Sequence, residues 1–577
     1  MKKVNKAVSV AIVVLCLMAP LLFQRAIRAA GSEEASEWTM YRHDVNRSGY
    51  TQIAGPKYNF TKWTFQTGHI ILSSPAVANG IVYIGSNDSK VYALNMWTGE
   101  EIWNFSTGPG GIYSSPAVAD GIVYIGANDN KTYALNATTG ELIWSFTAWG
   151  TLFYGLPSPF WSSPVVVDGI VYIGNQDSLV YALNATTGTV IWVQTVYGAC
   201  TGSSPTIADG RLYIAAAGYS APYDGNVTCL NATTGQLIWN YTVPFGVYFS
   251  TPTVVNGIVY IGTFGGSVLA LNATTGQLMS FFFPGDYYPI NTSPAVANGI
   301  VYVGSGNGRI YALDASNLAI VKWAKTLSSY GVYSSPIVAG DTVYVGTEDG
   351  KIFALDAITG NQIWMYQTGG TIRGSFAVVS GHPDYPCLLY APAYDGKIYA
   401  IYDVFHDIAV TNVSPYKNIV GQGYTMNISV TVENQGDHKE TFNVTLYANT
   451  TAIETMEVTL ESGESTTITF IWNTGGAGGI GVFDKGNYAL WVYAWPVLGE
   501  TDTSDNTFSD GIVYVGIPGD INGDGTVDIY DAILLSTSFG AKQGDPNWNP
   551  NADLDNTGEI DIFDAIILST HFGETDP

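Results

Sequence analysis

With 577 residues the chain is too long for one ordinary hydrophobic core, so several domains or one large repeat architecture are expected. The formal net charge of −26 argues against nucleic-acid binding, because such binding depends on basic side chains that face the phosphates. Only 12% of the residues are charged, whereas Gly (65) and Tyr (38) are abundant, a composition that favours short β-strands joined by tight turns.

The chain begins with three lysines within six residues, followed by the apolar run AVSVAIVVLCLMAPLLF at 7–23. This pattern is typical of a secretory signal, so residues 1–30 predict export to the cell surface or the medium. No clean cleavage site follows the run, which leaves an uncleaved anchor open as the alternative. Export permits a disulfide between Cys200 and Cys229, with buried free thiols as the other possibility.

A phrase such as SSPAVANGIVYIGSNDSKVYALN then recurs, with its proline at Pro75, Pro116, Pro164, Pro205, Pro252, Pro294 and Pro336. In each unit, alternating apolar residues flank an Asn-Gly or Asp-Gly pair, which predicts a hairpin with a type I′ turn. Two further turns add two strands, and four antiparallel strands in a repeat of about forty residues indicate a β-propeller. A partial eighth unit at 374–401 lacks its last strand. Residues 58–68 match such a strand, so we expect them to complete that unit and close the ring.

The repeat and its lead-in, WTMYRHDVNRSGYT at 38–51, resemble the propellers of the pyrroloquinoline-quinone type. That family includes quinoprotein alcohol dehydrogenases and a bacterial outer-membrane assembly lipoprotein, and the resemblance implies an eight-bladed propeller over 38–402. The recurring phrase ALNATTGELIW resembles the family's tryptophan-docking motif, in which the Trp packs against the neighbouring blade. Blade five departs from it, with Met279 in the Trp position. The matching side chains are Trp63, Trp103, Trp144, Trp192, Trp239, Trp323 and Trp364.

The family's dehydrogenases hold a quinone and a calcium ion beside two adjacent cysteines, and this chain has no Cys-Cys pair. The acidic residues that depart from the repeat also suit ordinary turns; they are Asp224, Asp286, Glu348 and Asp349. We therefore expect no catalytic residues and no bound quinone, and we interpret the propeller as an interaction platform. Arg373 either lines the channel or is a solvated charge.

Sequons recur along the chain, and four of them lie in the NATTG turns. Asn is also a good turn residue, and the two roles are compatible. N-glycosylation is therefore expected at some of these sites, among them Asn136, Asn184, Asn231 and Asn272.

From 404 to 516 the pattern changes to alternating strands at the spacing of a β-sandwich. The stretch VTVENQGDHKETFNVTLYAN closely resembles the cell-adhesion-related domain of bacterial and archaeal surface proteins, known as CARDB. The resemblance implies an immunoglobulin-like sandwich that serves as a stalk or a binding module. No catalytic constellation is present in this stretch.

The last segment, 517–577, carries two copies of a loop with oxygen-bearing side chains at the spacing of calcium ligands. The expected ligands of the first loop are Asp520, Asn522, Asp524, Thr526, Asp528 and Asp531, and those of the second are Asp553, Asp555, Thr557, Glu559, Asp561 and Asp564, with Thr526 and Glu559 contributing backbone carbonyls. Twelve acidic residues against one lysine in this segment would repel one another without bound cations. Thr557 replaces an acidic or amide ligand, so the second loop is expected to bind calcium more weakly.

Each loop leads into a short apolar helix, AILLSTSFG or AIILSTHFG, and the pair strongly resembles a type I dockerin. The resemblance implies a cohesin-type partner. The residues at the family's contact positions form two nearly identical sets, so either could dock, although part of this face could instead belong to the domain's own core. The two sets are Ile529, Tyr530, Ser536 and Thr537, then Ile562, Phe563, Ser569 and Thr570.

Together these features predict a mainly β, exported and non-catalytic protein with a propeller platform, a sandwich spacer and a calcium-dependent dockerin. The assembly it joins could be one that degrades polysaccharides, and carbohydrate or other surface proteins are further candidate ligands. The rival hypothesis is an enzyme tethered by the dockerin, either a quinone-dependent dehydrogenase or a carbohydrate-active propeller.

Overall fold

The computed structural model describes residues 37–149, 159–198, 202–218, 224–380, 387–403, 406–475, 482–500 and 502–576. The chain divides into two compact units, Met1–Asp403 and Val404–Pro577. Both are mainly β, and among the described residues no helix is long and apolar enough to cross a membrane. The expected signal segment and Cys200 lie outside the described residues. Cys229 is a buried free thiol, which agrees with the second of the two possibilities raised for it.

The described strands of the first unit form eight sheets, each built mainly from one repeat. Sheets 1 to 4 contain β3 (Ala76–Ala78), β4 (Ile81–Gly85), β5 (Lys90–Asn95) and β6 (Glu101–Ser106); β7 (Ala117–Ala119), β8 (Ile122–Gly126), β9 (Lys131–Asn136) and β10 (Leu142–Thr147); β11 (Val165–Val167), β12 (Ile170–Gly174), β13 (Leu179–Asn184) and β14 (Val190–Thr195); β15 (Thr206–Ala208), β16 (Arg211–Ala216), β17 (Gly225–Asn231) and β18 (Leu237–Val243).

Sheets 5 to 8 continue the series in the same order. They contain β19 (Thr253–Val255), β20 (Ile258–Gly262), β21 (Val268–Asn272) and β22 (Leu278–Phe282); β23 (Ala295–Ala297), β24 (Ile300–Gly304), β25 (Arg309–Asp314) and β26 (Asn317–Thr326); β27 (Ile337–Ala339), β28 (Thr342–Gly346), β29 (Lys351–Asp356) and β30 (Gln362–Gln367), with β1 (Tyr50–Thr51) added at the edge; and β31 (Ala377–Val379), β32 (Leu388–Pro392), β33 (Lys397–Tyr402) and β2 (Phe60–Gln66). Sheet 8 thus takes its outer strand, β2, from the other end of the unit.

In sheets 1 to 6 the first turn has the conformation that its sequence predicts. In sheet 1, Asn79 and Gly80 have φ values of 50° and 76°, as a type I′ turn requires. Asp120 and Gly121, at 51° and 73°, repeat this geometry in sheet 2. Such turns match the twist of the flanking strands, so the register of each hairpin is fixed locally.

The paired serines before each proline have two different roles. The first serine acts within a sheet: the hydroxyl of Ser73 accepts from the Gly85 amide at 3.1 Å. The second acts between sheets: the hydroxyl of Ser115 accepts from the Ser74 amide at 2.9 Å. The same link from each sheet to the next joins Ser74, Ser115, Ser163, Ser204, Thr251, Ser293 and Ser335.

This series of links, which we call the serine circle, returns to its starting point. Ser375 in sheet 8 donates from its hydroxyl to the carbonyl of Ser335 at 2.9 Å, and its amide donates to the hydroxyl of Ser74 at 2.8 Å. All eight hydroxyl-bearing residues of the circle are buried. Hydrogen bonds therefore connect sheet 8 to sheet 1 as they connect every other neighbouring pair.

A second set of contacts between sheets is made by tryptophans on the outer strands. Trp103 of sheet 1 donates from Nε1 to the Ala137 carbonyl of sheet 2 at 2.9 Å, and the Tyr83 hydroxyl donates to the same oxygen at 3.0 Å. The ring also lies on Gly140, where an added Cβ would come within 2.6 Å of Trp103 Cδ2. A glycine is thus required for this contact as well as for the positive φ of the turn.

Other tryptophans repeat this contact at every junction except the one between sheets 5 and 6. Each indole donates to the carbonyl of a residue in the following sheet or, for the last, of Pro56; the donors are Trp63, Trp144, Trp192, Trp239, Trp323 and Trp364. In sheet 5 the strand register places Ser280, not Met279, opposite Ala270, so the expected position of Met279 was wrong by one residue. Ser280 accepts from the Leu318 amide at 2.8 Å, and the fully buried Leu318 provides apolar packing at this junction.

The lead-in segment, residues 38–51, crosses the first strands of the sheets in turn. Its backbone bonds to Val77, Val118, Ile207, Val254, Val296 and Val338, which belong to six different sheets. Arg42 and Arg47 are fully buried and donate to proline carbonyls of sheets 3, 4, 6 and 7. Burial lowers the pKa of both guanidinium groups to about 10, so both stay charged at neutral pH.

The second unit contains a β-sandwich followed by two helices. One sheet consists of β34 (Ile408–Pro415), β36 (Thr425–Asn434) and β39 (Ser465–Asn473); the other consists of β35 (Ile419–Gly421), β41 (Thr507–Gly516), β40 (Gly486–Ala494), β37 (Glu440–Ala448) and β38 (Thr451–Leu460). Their apolar core encloses the fully buried Trp472. Helices α1 (Ile529–Ser538) and α2 (Ile562–His571) follow, with a 3₁₀ turn at Pro550–Ala552 between them.

Replacement of Trp144 tests the contact between sheets. Trp144→Ala should lower the free energy of unfolding of the first unit by about 3–5 kcal/mol, because it removes a buried ring and leaves the Ala185 carbonyl without this donor. Trp149→Ala, which removes a mostly exposed ring beside the same sheet, is the matched control and should cost under about 1 kcal/mol. Urea denaturation of the full chain, monitored by tryptophan fluorescence, measures the free energy of unfolding of both variants. Equal effects of the two substitutions would contradict the account.

Candidate functional site

A cavity of about 360 Å³ opens beside the serine circle of the first unit. Its floor includes Tyr41 of the lead-in segment, whose hydroxyl lies 3.1 Å from the Ser293 hydroxyl and 3.3 Å from that of Ser335. Four more aromatic residues line it: Tyr113, Trp161, Phe249 and Tyr333. Serines of the circle supply much of the remaining wall.

One charged side chain, Arg373, lines this cavity among the described residues. Its guanidinium bonds to Glu348 and lies 5.6 Å and 5.4 Å from the ring centres of Tyr333 and Tyr394. Burial lowers the pKa of Arg373, but the interactions of its guanidinium with Glu348 and Tyr394 together outweigh burial and raise the pKa overall. Arg373 thus lines this cavity, as one of the two sequence interpretations has it, and its side chain is also 46% exposed, as the other has it.

The remaining acidic candidates of the first unit do not converge on this cavity. Asp349 pairs with Lys351 at 2.7 Å, and the Asp286 carboxylate accepts from the side-chain Nδ2 of Asn307 at 2.5 Å. Asp224 is absent from the residues that line the cavity. The four residues therefore form no common site within the described part of the chain.

In the second unit, the first acidic loop is arranged around Asp520 and Asp531. The Asp520 carboxylate accepts from the backbone amides of Gly523 and Gly525, and Asp531 accepts from those of Ile521 and Asp528. Asp531 is the third helical residue of α1 and forms a capping box with Asp528. Both carboxylates are buried, and burial raises the pKa of Asp520.

The second loop brings three carboxylates together. Oxygens of Asp553, Asp555 and Asp564 all lie within 4.8 Å of one another. Asp553 and Asp564 are fully buried, which raises the pKa of both, and buried Oδ1 atoms of Asp555 and Asn556 have no hydrogen-bond partner. Grouped carboxylate oxygens suit a hard divalent cation such as calcium, so these residues could hold one.

Two residues of the sandwich reach into the second loop, and the sequence analysis had not predicted this contact. The Lys417 ammonium donates to the Asp553 carbonyl at 2.5 Å, and the Tyr416 hydroxyl donates to the Asp553 carboxylate at 3.2 Å. Lys417 is 4% exposed, and burial lowers its pKa although Asp553 opposes the shift. A positive charge therefore sits beside the expected ligands of the second loop.

The first loop also contacts the sandwich, through the end of the chain. Asp576 accepts from the Tyr514 hydroxyl at 2.5 Å and from the Lys485 ammonium at 2.7 Å. Its amide donates to the Gly525 carbonyl at 2.7 Å. Both loops are thus attached to the sandwich at defined points.

The eight expected contact residues on the two helices are exposed. Ile529 and Tyr530 at the start of α1 are 58% and 64% exposed, and Ile562 and Phe563 at the start of α2 are 57% and 61% exposed. Ser536, Thr537, Ser569 and Thr570 are exposed one to two turns further on. The core around Leu535 and Leu568 contains none of the eight, so the alternative that this face belongs to the domain's core is wrong.

Comparisons with known proteins agree with the order of these parts. Three stretches, 38–153, 149–280 and 284–402, match the sequence model described as outer membrane protein assembly factor BamB, and together they cover more than half of the chain. The chain belongs to this repeat family. Beyond the BamB-type repeats, residues 406–509 match CARDB, and residues 518–573 match the dockerin type I domain.

Solved structures with the same fold as the BamB-type repeats include quinoproteins. A europium-containing methanol dehydrogenase is 15% identical with a TM-score of 0.54, and the match covers 65% of this chain and all of that one. A quinohemoprotein alcohol dehydrogenase from Comamonas testosteroni is 17% identical with a TM-score of 0.51, over 65% of this chain and 82% of that one. At such identities the likeness concerns the fold alone. No protein of curated function matches the chain.

The residues of the BamB-type cavity do not suit the quinone of these neighbours. Pyrroloquinoline quinone carries three carboxylates, and Arg373, the one cation on the described wall, is already bonded to Glu348. Among the described residues, no group of three acidic, cysteine or histidine side chains lies together in this unit to hold an accompanying cation. No catalytic step through a quinone follows from this site.

The roles of several residues that shape the two sites were not predicted from the sequence. The second serine of each repeat recurs in seven aligned copies, and Arg42 and Arg47 stand in the lead-in segment. Their contacts join different repeats, and the pattern within one repeat does not indicate such contacts. Lys417 and Asp576 have no motif, because their partners lie in a different domain. A lone lysine between two predicted strands looks like an ordinary surface charge.

Replacement of Lys417 tests its electrostatic effect on the second loop. In an Asp520→Ala background, which removes the first expected ligand of the other loop, Lys417→Met should strengthen calcium binding about tenfold, since it removes a buried positive charge. Lys485→Met, a loss of the same charge at the other attachment point, should leave the second loop unchanged. Isothermal titration calorimetry with calcium measures both. Unchanged or weaker binding in Lys417→Met would contradict the expectation.

Proposed function

We propose that the protein is an exported, non-catalytic surface or extracellular protein whose dockerin attaches it to a cohesin-type partner in a calcium-dependent manner. The BamB-type repeats act in this proposal as a binding platform. The observation that carries it is the pair of exposed, nearly identical helix faces that follow two acidic loops in a matched dockerin type I domain. The location is supported by that domain and by CARDB, and by the signal-like sequence at 1–30.

We infer further that the eight sheets are the blades of one closed propeller spanning 38–402. The serine circle supports this, because it links eight positions and returns from Ser375 to Ser74. The junction between sheets 8 and 1 supports it independently: Trp63 and Tyr390 of sheet 8 both donate to the Met96 carbonyl of sheet 1. Closure leaves no sheet edge open between the first and last repeats.

The CARDB sandwich over 404–516 is assigned the role of a rigid support for the dockerin at 517–577. Lys417 and Asp576 join the two domains at both acidic loops, and a flexible spacer would not need such contacts. The expected partner of the helix faces therefore meets a dockerin whose loops are already positioned. Less conformational freedom is lost on binding in that case.

Calcium is assigned to both loops, with twelve ligands in two sets. The first set is Asp520, Asn522, Asp524, Thr526, Asp528 and Asp531, and the second is Asp553, Asp555, Thr557, Glu559, Asp561 and Asp564. The ion would offset the mutual repulsion of buried carboxylates such as Asp553 and Asp564 and so allow the helices to pack. Weaker binding by the second loop is supported by Thr557 and by the charge of Lys417.

The enzymatic alternatives have less support. A dehydrogenase would need a site for a quinone, and the cavity beside Arg373 does not suit one. A glycoside hydrolase would need two carboxyl groups flanking its substrate, and no Asp or Glu is among the described residues that line the cavity. Binding without chemistry is the function that the described side chains support best.

Docking predicts that both helix faces must be damaged before the partner is lost. Tyr530→Glu or Phe563→Glu alone should leave calcium-dependent binding to a cohesin-type module largely intact, because the other face remains. The double variant should weaken binding more than 30-fold, because each face then lacks the aromatic side chain that the partner would bury in the complex. Tyr287→Glu, an equally exposed aromatic in the first unit, is the control and should bind normally.

Biolayer interferometry against cohesin-type modules of the source organism, with calcium and with chelator, measures these affinities. Full binding in the presence of chelator would contradict the calcium requirement. Full binding by the double variant would show that these faces are not the docking surface.

A further inference from the structure

The cavity of the first unit is a blind pocket rather than a through channel. The lead-in segment crosses its floor, and Tyr41 contacts the Ser293 and Ser335 hydroxyls. Beneath it, Arg47 donates to the carbonyls of Pro164 and Pro205, so the lead-in is attached on several sides. A volume of about 360 Å³ with a closed floor is in the range of small-ligand sites, which is about 300–1,000 Å³.

Aromatic rings dominate the wall of this pocket. Tyr113 and Trp161 come from neighbouring sheets and lie 5.3 Å apart with their planes at 45°. Phe249 and Tyr333 add rings from other directions. Rings with different orientations around a small volume favour a ligand that presents apolar C–H faces on more than one side.

Two polar atoms on the same wall lack partners within the described part of the chain. The Asn291 Oδ1 atom, an acceptor, and the Trp161 Nε1 atom, a donor, are both buried and make no hydrogen bond. An unpaired buried polar atom typically costs about 1–3 kcal/mol, so native proteins seldom retain one without a ligand or water to pair it. Both residues line the pocket, so a small rotation of either side chain would present its unpaired atom to a guest.

The electrostatics favour an uncharged guest. The charge of Arg373 is offset by Glu348, and no other ionised side chain is among the described lining residues. Hydroxyls of Ser74, Ser115, Ser163 and Ser204 lie on the wall, but each already accepts a backbone amide of a neighbouring sheet. A strongly anionic ligand would therefore meet no free cation there.

We propose that this pocket binds a neutral saccharide, such as the terminal ring or two of an oligosaccharide, stacked on Trp161 and hydrogen-bonded to Asn291. A sugar ring combines apolar C–H faces with hydroxyls that both donate and accept, which matches the aromatic wall and the two unpaired atoms. The inference rests on the proposed role of the repeats as a binding platform and names its ligand class. The docking of the dockerin is independent of it.

The test uses the full-length protein with calcium, first on an array of neutral and acidic glycans and then by calorimetry with the best neutral binder. We expect one-to-one binding of a neutral saccharide. Trp161→Ala and Asn291→Leu should each weaken it at least tenfold. Trp161→Phe keeps a ring but removes the Nε1 donor, so it should cause a smaller loss. Trp149→Ala, at an exposed ring outside the pocket, should change nothing.

Three results would overturn the proposal: no glycan bound on the array, preference for acidic glycans, or saccharide binding that is unaffected by Trp161→Ala and Asn291→Leu. Calcium-dependent docking, measured on the same preparations, separates the two hypotheses. If docking persists while no glycan binds, only the ligand assignment falls. If both are lost, the proposed function falls with it.

Discussion

The constraint on which the first unit depends is the closure of the serine circle. Each hydroxyl accepts an amide from the sheet beside it or donates to a carbonyl there, so every sheet is fixed in position relative to two others. Individual hydrogen bonds of this kind contribute only about 1 kcal/mol, but an amide left unpaired in this buried zone would cost more than that. The circle also determines where the prolines, the lead-in segment and the walls of the pocket lie. The second serine or threonine of each repeat therefore links neighbouring sheets, and most of these residues also help to form the wall of the pocket.

The second unit uses a different principle. Its second loop places the carboxylate oxygens of three aspartates within 4.8 Å of one another, which an ordinary solvent-exposed turn would not need. The buried Asp555 Oδ1 atom has no hydrogen-bond partner there. The sandwich contributes Lys417 and Tyr416 at one loop and Tyr514 at the other, so the dockerin is held in place by side chains of CARDB. The loops expected to bind a cation are thus the same loops that attach the dockerin to the sandwich. The separate apolar helix faces are left exposed.

Much of this organisation could be predicted from sequence because it is repeated or carries a motif. The Asn-Gly turns, the strand alternation and the ligand spacing are local, and a local pattern is readable in one chain. Contacts between elements were not readable in the same way. The assignment of Met279 to the tryptophan position was one residue off within the repeated phrase, since ALNATTGQLMS places Ser280 where CLNATTGQLIW has Trp239, and the strand pairing of Ser280 with Ala270 agrees. Arg47 and Lys417 were missed because their partners are distant in sequence and no motif marks them.

We propose that a fold shared with quinoprotein dehydrogenases serves here for binding and carries no redox chemistry. The most direct test is titration of the full-length protein, in calcium, with pyrroloquinoline quinone, followed by the absorbance of the quinone and by dye reduction with alcohols and sugars as substrates. The account predicts no stoichiometric quinone binding and no dye reduction above that of free quinone. Saturable one-to-one binding accompanied by substrate-dependent dye reduction would contradict it.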